Sequence, residues 1–208
     1  MNKKEIQTIV FISYIITAIL SFMISILVLE DGFLNNLLSS IKITTILSLW
    51  WLYYFKIGWK QKPINKLFKR ANLNGTWFGH YESYDIEKDK IFKGEIGLKI
   101  NQDFTTISLI SYSNRFSNYS YNEILNYEEK SDRYAIVYVY TQTVNNAFDL
   151  KKDSGTSELI LKEAQNKLIL EGEFWTSHNS KGKLKVEKIA NKKIDTFEEA
   201  SELFQSRK

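Results

Sequence analysis

The feature that most constrains this chain is a run of 24 residues without a formal charge, from Ile6 to Leu29. Roughly 20 predominantly apolar residues are enough for a helix to cross a ~30 Å hydrocarbon core. A secretory signal peptide would have a shorter apolar region followed by a cleavage site, whereas this run continues into Glu30-Asp31-Gly32 and then into more apolar sequence. The run therefore predicts an uncleaved transmembrane helix over residues 6–29.

A second apolar segment, residues 33–55, predicts a second transmembrane helix and completes a hairpin over residues 1–55. It contains Lys42, whose long side chain must reach the headgroups because a charge is costly at the centre of a bilayer. Its C-terminal end is aromatic, with Trp50, Trp51, Tyr53 and Tyr54, and with Trp59 shortly beyond. Such aromatics are typical of an interfacial belt, and we favour this anchoring role over ligand binding.

Charges on the flanks predict how the two helices are oriented. Two lysines precede the first helix, two acids lie in the loop between the helices, and a basic linker over residues 56–72 follows the second helix. This linker holds six cations and no acid between Lys56 and Arg70, and it is interrupted by the only proline, Pro63. Because positive flanks stay in the cytoplasm, we expect both termini and the large domain there. The linker cations can also attract anionic lipid, each by about 1 kcal/mol.

The positive net charge of +4 is local to the membrane-proximal part of the chain. From Ala71 to Ala190 there are 15 Lys and Arg residues against 17 Asp and Glu residues. A domain that binds duplex nucleic acid should concentrate positive charge where the phosphates lie, so we exclude that class of partner. The chain has no cysteine, which excludes disulfides, thiolate nucleophiles and cysteine-based zinc sites.

After Asn72 the pattern changes to the two-residue alternation of β-strands. The clearest run places one set of residues on one face, namely Phe92, Gly94, Ile96, Leu98 and Ile100. We predict eight strands, over Thr76–Ser83, Phe92–Ile100, Thr105–Ser113, Ser120–Glu128, Tyr134–Gln142, Ser157–Glu163, Lys167–Ser177 and Gly182–Lys188. Short polar connections favour antiparallel hairpins. Residues 73–190 are therefore predicted to form a small eight-stranded antiparallel β-barrel, with a two-sheet sandwich as the alternative.

Two short motifs flank this all-β domain. Thr196 and Glu199 have the spacing of a capping box and predict a short C-terminal helix over residues 195–206. Its apolar stripe, formed by Phe197, Ala200, Leu203 and Phe204, is expected to pack on the barrel. The first strand opens with Gly75-Thr76-Trp77, a pattern that also opens lipocalin-type barrels, in which the tryptophan closes one end.

The sequence offers little for catalysis. His80 and His178 have no cysteine or suitably spaced histidine partner for a zinc site. No phosphate-binding glycine loop and no GxSxG motif is present. Glu171 and Glu173 share a strand face, but a solvated outer barrel face explains them without chemistry. We therefore predict no catalytic residue, no metal site and no cofactor.

Three features together resemble a known family: the helix hairpin, LNGTWFGHYES (residues 73–83) and EGEFWTSHNSKGKLKVEK (residues 171–188). The chain resembles the SMODS-associated two-transmembrane, β-strand-rich effectors of CBASS anti-phage systems. The resemblance implies an eight-stranded barrel that binds a cyclic dinucleotide made by a partner CD-NTase. It further implies that binding drives self-association of the helices in the lipid bilayer and breaches the inner membrane, without a reaction of the protein's own.

The resemblance also suggests which residues contact the ligand. We expect Trp175, Thr176 and Lys181 at one barrel mouth, with further contacts from Tyr81, Tyr112 and Arg115. An arginine would be expected near His178, and Lys181 is the nearby cation that can replace it. Tyrosines can stack on nucleobases and Arg or Lys can bind phosphate, although tyrosines also favour half-buried strand positions for packing alone.

Three other functions fit the same residues. The barrel can bind a lipid or another small molecule near the membrane, which requires a largely apolar interior. It can also act as a non-catalytic membrane tether for a protein partner, or as an enzyme of unknown type.

Overall fold

The computed structural model describes residues 3–27, 33–62, 68, 70–144 and 153–207. It divides into two compact units, one formed by Met1–Lys69 with Asp103–Thr105, the other by Arg70–Gln102 with Thr106–Lys208. The acidic loop at Glu30 and Asp31, the proline Pro63 and the linker lysines Lys66 and Lys69 lie outside the described residues.

The first unit contains helix α1 (Lys3–Leu27), helix α2 (Phe33–Lys56) and a 3₁₀ turn over Gly58–Lys60. Within the described residues, one helix is long and apolar enough to cross a membrane, with its apolar window over Glu5–Met23. The predicted second span forms α2, which is less apolar because it includes polar residues such as Lys42. This supports the first predicted span, and the second stays a prediction.

The aromatic end of α2 belongs to a buried ring cluster in the same unit. Tyr54, Trp59, Phe68 and Phe104 are buried in it, and the rings of Phe55 and Phe104 stack with their centroids 5.0 Å apart. Trp51 Nε1 donates a hydrogen bond of 2.9 Å to Ser13 Oγ and so ties α2 to α1. Part of the predicted interfacial belt thus packs within the protein, while its anchoring role stays a prediction.

The second unit is a closed antiparallel barrel. Each strand pairs with the next and the eighth pairs with the first, so the barrel is confirmed and the sandwich alternative is wrong. Its strands are β1 (Gly75–Asp85), β2 (Lys90–Gln102), β3 (Ile107–Tyr112), β4 (Phe116–Glu128), β5 (Arg133–Val144), β6 (Asp153–Ala164), β7 (Lys167–Thr176) and β8 (Ser180–Ala190). Closure gives every strand a partner on both sides along at least part of its length.

One end of the barrel is filled by apolar side chains. The predicted alternation in β2 holds, because Ile96, Leu98 and Ile100 are buried in the interior core. Trp77 is fully buried there, and its Nε1 donates a hydrogen bond of 2.9 Å to the carbonyl oxygen of Leu73. Trp77 therefore closes this end of the barrel, as the Gly-x-Trp pattern suggested.

The C-terminal segment forms helix α3 (Phe197–Gln205) on the outside of the barrel. Its N-cap is Thr196, whose side chain accepts a hydrogen bond from the backbone N–H of Glu199. The buried face of the helix, with Ala200 and Phe204, packs against Phe78 of β1. The prediction of a capped helix that packs on the barrel is confirmed.

A candidate ligand site at the open end of the barrel

The barrel holds a cavity of about 410 Å³ at the end opposite Trp77. Here the odd-numbered strands end and the even-numbered strands begin, so inward side chains from all eight strands meet. Its polar lining includes Ser83, Ser111, Asn118, Gln142, Ser157 and Ser180, and its aromatic lining includes Tyr81, Phe92, Phe116, Tyr138, Tyr140 and Phe174. A cavity of this size with mixed lining can hold a small molecule that has both flat and polar parts.

Two buried tyrosines from β5 form part of the cavity wall. Tyr138 and Tyr140 have ring centroids 5.9 Å apart. Gly155 of the neighbouring strand lets Tyr140 lie close, since a Cβ there would be 2.4 Å from the Tyr140 hydroxyl oxygen. Burial raises the pKa of Tyr138 to about 12 and also raises the pKa of Tyr140. Both phenols therefore stay neutral at physiological pH and keep a hydroxyl proton to donate.

Arg115 brings a positive charge to the rim of the cavity from the turn between β3 and β4. The hydroxyl oxygen of Ser113 accepts hydrogen bonds of 3.2 Å from the backbone N–H groups of Arg115 and Phe116, which fixes the turn. Burial raises the pKa of Tyr81, and the nearby charge of Arg115 partly offsets this increase. Within the part of the chain that the structure describes, the Arg115 guanidinium has no acidic partner.

The other basic side chains of the lining contact acids. Lys88 Nζ lies 3.0 Å from Asp85 Oδ2, and this ammonium holds the pKa of the Asp85 carboxyl below its usual range. His178 lies in the turn between β7 and β8, and its Nδ1 is 2.8 Å from Asp153 Oδ1. Arg115 is therefore the lining cation best placed to bind a phosphate, because its fork of donors is not already engaged by a carboxylate.

Three of the six residues predicted to contact a ligand meet in this cavity. Tyr81 and Arg115 line it from β1 and the β3–β4 turn. Thr176 lines it from the end of β7, where its Oγ lies 2.6 Å from Ser180 Oγ. These three are separated by up to 95 residues of sequence, and barrel closure brings them to one mouth.

The other three predicted contacts lie outside this lining. Tyr112 is buried against α3, and its hydroxyl donates a hydrogen bond of 2.9 Å to the carbonyl oxygen of Ile194. Trp175 precedes the inward-facing Thr176, so it points outward and is 43% exposed. Lys181 pairs with Trp175 across the β7–β8 ladder and lies on the same outer face. Ligand contact by these three residues stays a prediction that rests on the sequence alone.

Several lining residues were not among the predicted ligand contacts. Tyr138, Tyr140 and Gln142 share one face of β5, and the two-residue alternation of that strand could have identified them as a set. Asp153 and His178 are different, because their pairing depends on the register between β6 and β7 and has no local signature.

Within the described residues, no group of three or more His, Cys, Asp or Glu side chains is placed to hold a metal ion.

A closed eight-stranded barrel with a polar and aromatic cavity at one end belongs to the class of small-molecule-binding barrels. A family model described as Cap15, cyclic dinucleotide receptor domain, matches residues 68–188. The chain belongs to this family, and its resemblance to CBASS effectors is confirmed. The match supports a cyclic dinucleotide as its ligand. No curated protein matches the chain.

Proposed function

We propose that this protein is a membrane effector of a cyclic-oligonucleotide anti-phage system, in which the barrel receives the signal and the N-terminal helices deliver the response. The observation that carries the proposal is the match of residues 68–188 to a cyclic dinucleotide receptor domain, because that range contains the whole lining of the open-end cavity.

The chemistry of the cavity supports a cyclic dinucleotide over a lipid. A fatty acid requires a largely apolar interior, whereas this lining carries amide, hydroxyl and charged groups such as Asn118, Gln142 and Arg115. The apolar part of the barrel interior is already filled by side chains around Trp77. Aromatic rings can stack on the bases while Arg115 binds a phosphodiester.

We propose that the ligand contacts of the cavity are Tyr81, Arg115 and Thr176, with hydroxyl donors from Tyr138 and Tyr140. A partner CD-NTase supplies the ligand. The role of the barrel is binding alone, since receptor function requires differential affinity between two states of the protein and no chemical step.

The response to the ligand is carried out by the N-terminal helices α1 and α2. We propose that α1 and α2 form a two-helix transmembrane hairpin in the inner membrane, with both termini in the cytoplasm. The apolar window of α1 and the acid-free basic linker support this topology. Ligand binding then favours self-association of the hairpins, and the assembled helices disrupt the membrane and end the infection by killing the cell.

Ligand-dependent stabilisation of the full chain tests the receptor part of this proposal. The chain in detergent micelles is melted with cyclic di-AMP, cyclic di-GMP, mixed-base cyclic dinucleotides or palmitate. A ligand at a hundredfold excess over its Kd should add about 2.7 kcal/mol to the free energy of unfolding and raise Tm. Stabilisation by palmitate and by none of the cyclic dinucleotides would contradict the proposal and favour a lipid-binding barrel.

A further inference from the structure

The wall of the barrel is open beside the cavity because β3 is much shorter than β2. β2 pairs with β1 from Lys90 to Ile100, but it pairs with β3 only from Gly97 to Gln102. Within the described residues, the β3-facing side of β2 therefore has no strand partner between Lys90 and Ile96. Backbone N–H and C=O groups along this stretch are available for hydrogen bonds to something other than a strand.

A second cavity of about 280 Å³, the lateral slit, lies along this unpaired stretch. Lys93, Gly94 and Glu95 of β2 form one side of the slit. The other side is formed by Ser113 and Asn114 of the β3–β4 turn, with Phe197 from the start of α3. The slit is thus lined by three elements, namely β2, the β3–β4 turn and α3.

The slit and the open-end cavity meet at three shared residues, Tyr81, Phe92 and Arg115. The ring of Tyr81 packs edge-on against Phe116, with centroids 5.9 Å apart. It also lies directly over Gly94, where an added Cβ would be 2.7 Å from Tyr81 Cε1. Glycine at position 94 is therefore what allows the Tyr81 ring to lie at the junction of the two cavities, which Arg115 also lines.

We propose that a cyclic dinucleotide is bound across this junction, with one nucleotide in the open-end cavity and the other in the lateral slit. The ligand is two-lobed, since two nucleosides project from a ring of two phosphodiesters, and the joined cavities are two-lobed as well. Arg115 lies at the joint, where the phosphodiester ring would be. The unpaired backbone of β2 faces the second base, whose edge presents both donors and acceptors. This inference rests on the proposed receptor function and adds to it the slit as a nucleotide subsite.

Filling the slit from its outer side tests the proposal. Asn114 lines the slit and does not line the open-end cavity, and its side chain is exposed, so Asn114→Trp obstructs the slit selectively. Asn126→Trp is the matched control, because Asn126 is an exposed residue of β4 that lines neither cavity. Binding of the best cyclic dinucleotide from the panel above is measured by titration calorimetry on the full chain in detergent.

We expect Asn114→Trp to weaken binding by about tenfold or more, which corresponds to about 1.4 kcal/mol, and Asn126→Trp to leave Kd unchanged. Equal Kd values for Asn114→Trp and the unsubstituted chain would overturn the slit subsite while leaving the receptor function standing. Absence of binding to the unsubstituted chain would instead remove the receptor function itself.

Gly94→Ala provides a second, independent variant. The added methyl group must displace the Tyr81 ring, which is the flexible end of a side chain, so the barrel backbone can stay in place. We expect a Kd increase of about tenfold with an unchanged melting transition in the absence of ligand. If Asn114→Trp shows no cooperative melting, Gly94→Ala decides alone, and an unchanged Kd would then refute the proposal.

Discussion

Arg115 is the residue on which the proposed ligand chemistry depends most. Lys88 and His178 each contact an aspartate, whereas the Ser113 turn fixes the backbone of Arg115 at the mouth, and the Arg115 guanidinium has no acidic partner in the described residues. A cation that no carboxylate already engages binds an anionic ligand without competition from that carboxylate.

We predict that Arg115→Ala weakens cyclic dinucleotide binding by about tenfold to a hundredfold, because hydrogen bonds to charged groups contribute about 1.5–3 kcal/mol. The Kd of Arg115→Lys should lie between those of the unsubstituted chain and Arg115→Ala, since lysine keeps the charge and loses the planar fork of donors. Calorimetric titration measures both. Lys183→Ala, on the exposed outer face of β8, is the control and should bind normally. Equal affinity of Arg115→Ala and the unsubstituted protein would exclude Arg115 as a ligand contact.

The buried Tyr138 phenol makes the free energy of unfolding depend on pH in the alkaline range. Its burial raises the pKa to about 12 from an ordinary value near 10, so the folded state favours the neutral phenol. Because the folded pKa is the higher one, this contribution is intact below about pH 10 and is lost as the pH rises towards about 12.

We expect the free energy of unfolding to fall between about pH 10 and pH 12, and Tyr138→Phe to reduce that fall by up to about 3 kcal/mol. The part of the fall that persists in Tyr138→Phe should come from Tyr140 and Tyr112, whose pKa values are also raised by burial. Urea denaturation across this pH range measures the effect, with Tyr119→Phe on the exposed face of β4 as control. A fall that is identical in Tyr138→Phe and the control would show that Tyr138 is not responsible.

At the scale of elements, α3 stabilises the barrel from outside. It covers Phe78 with Phe204, and the segment before it accepts the hydroxyl hydrogen bond of Tyr112 at Ile194. The helix depends on its N-cap, because a helix of nine residues has little stability of its own.

We predict that Thr196→Ala lowers the free energy of unfolding by about 1 kcal/mol, since the backbone N–H of Glu199 loses its acceptor. Thr196→Ser keeps the hydroxyl and should leave the free energy of unfolding nearly unchanged. Chemical denaturation of the two variants side by side measures the difference, and an equal loss in both would show that the cap hydrogen bond contributes nothing.

Strand β7 has one face towards the cavity and the other towards the outside of the barrel. Adjacent residues of a strand point to opposite faces, so Trp175 and Thr176 cannot both line the interior. The sequence-based prediction placed both at the barrel mouth, whereas the structure places Thr176 in the cavity and Trp175 on the outer surface. The prediction rested on the family resemblance and assigned no face to either residue, and the strand geometry assigns them to opposite faces.

At the scale of the whole molecule, the receptor and the membrane segment should be separable by deletion. The barrel unit has its own core around Trp77 and Leu98, whereas the apolar window of α1 has none of its residues buried. A domain of this size buries enough surface to fold on its own.

We predict that deletion of residues 1–55 abolishes toxicity in cells that produce the cyclic dinucleotide and leaves ligand-dependent stabilisation intact. Cell growth, a thermal melt and membrane fractionation measure the three consequences. Full-length Arg115→Ala is the complementary control, because it should stay in the membrane fraction and lose toxicity through weaker binding. Continued killing by the deleted chain would rule out membrane disruption as the mechanism.

The sequence by itself determined the local features of this protein. The uncharged run from Ile6 indicated a membrane-spanning helix, the alternation of apolar residues identified all eight strands, and the spacing of Thr196 and Glu199 located α3. These properties are readable because helices and strands impose fixed periods of about 3.6 and 2 residues on neighbouring side chains.

Only the tertiary structure decided what the open end of the barrel contains. The pairing of Asp153 with His178, the position of Tyr81 over Gly94 and the short β3 that opens the slit depend on register between strands. Register between neighbouring strands is set by the turns that join them and by packing across the strand pair, and the alternation within one strand does not specify it. The sequence thus determined which residues could face inward, and barrel closure determined which of them meet.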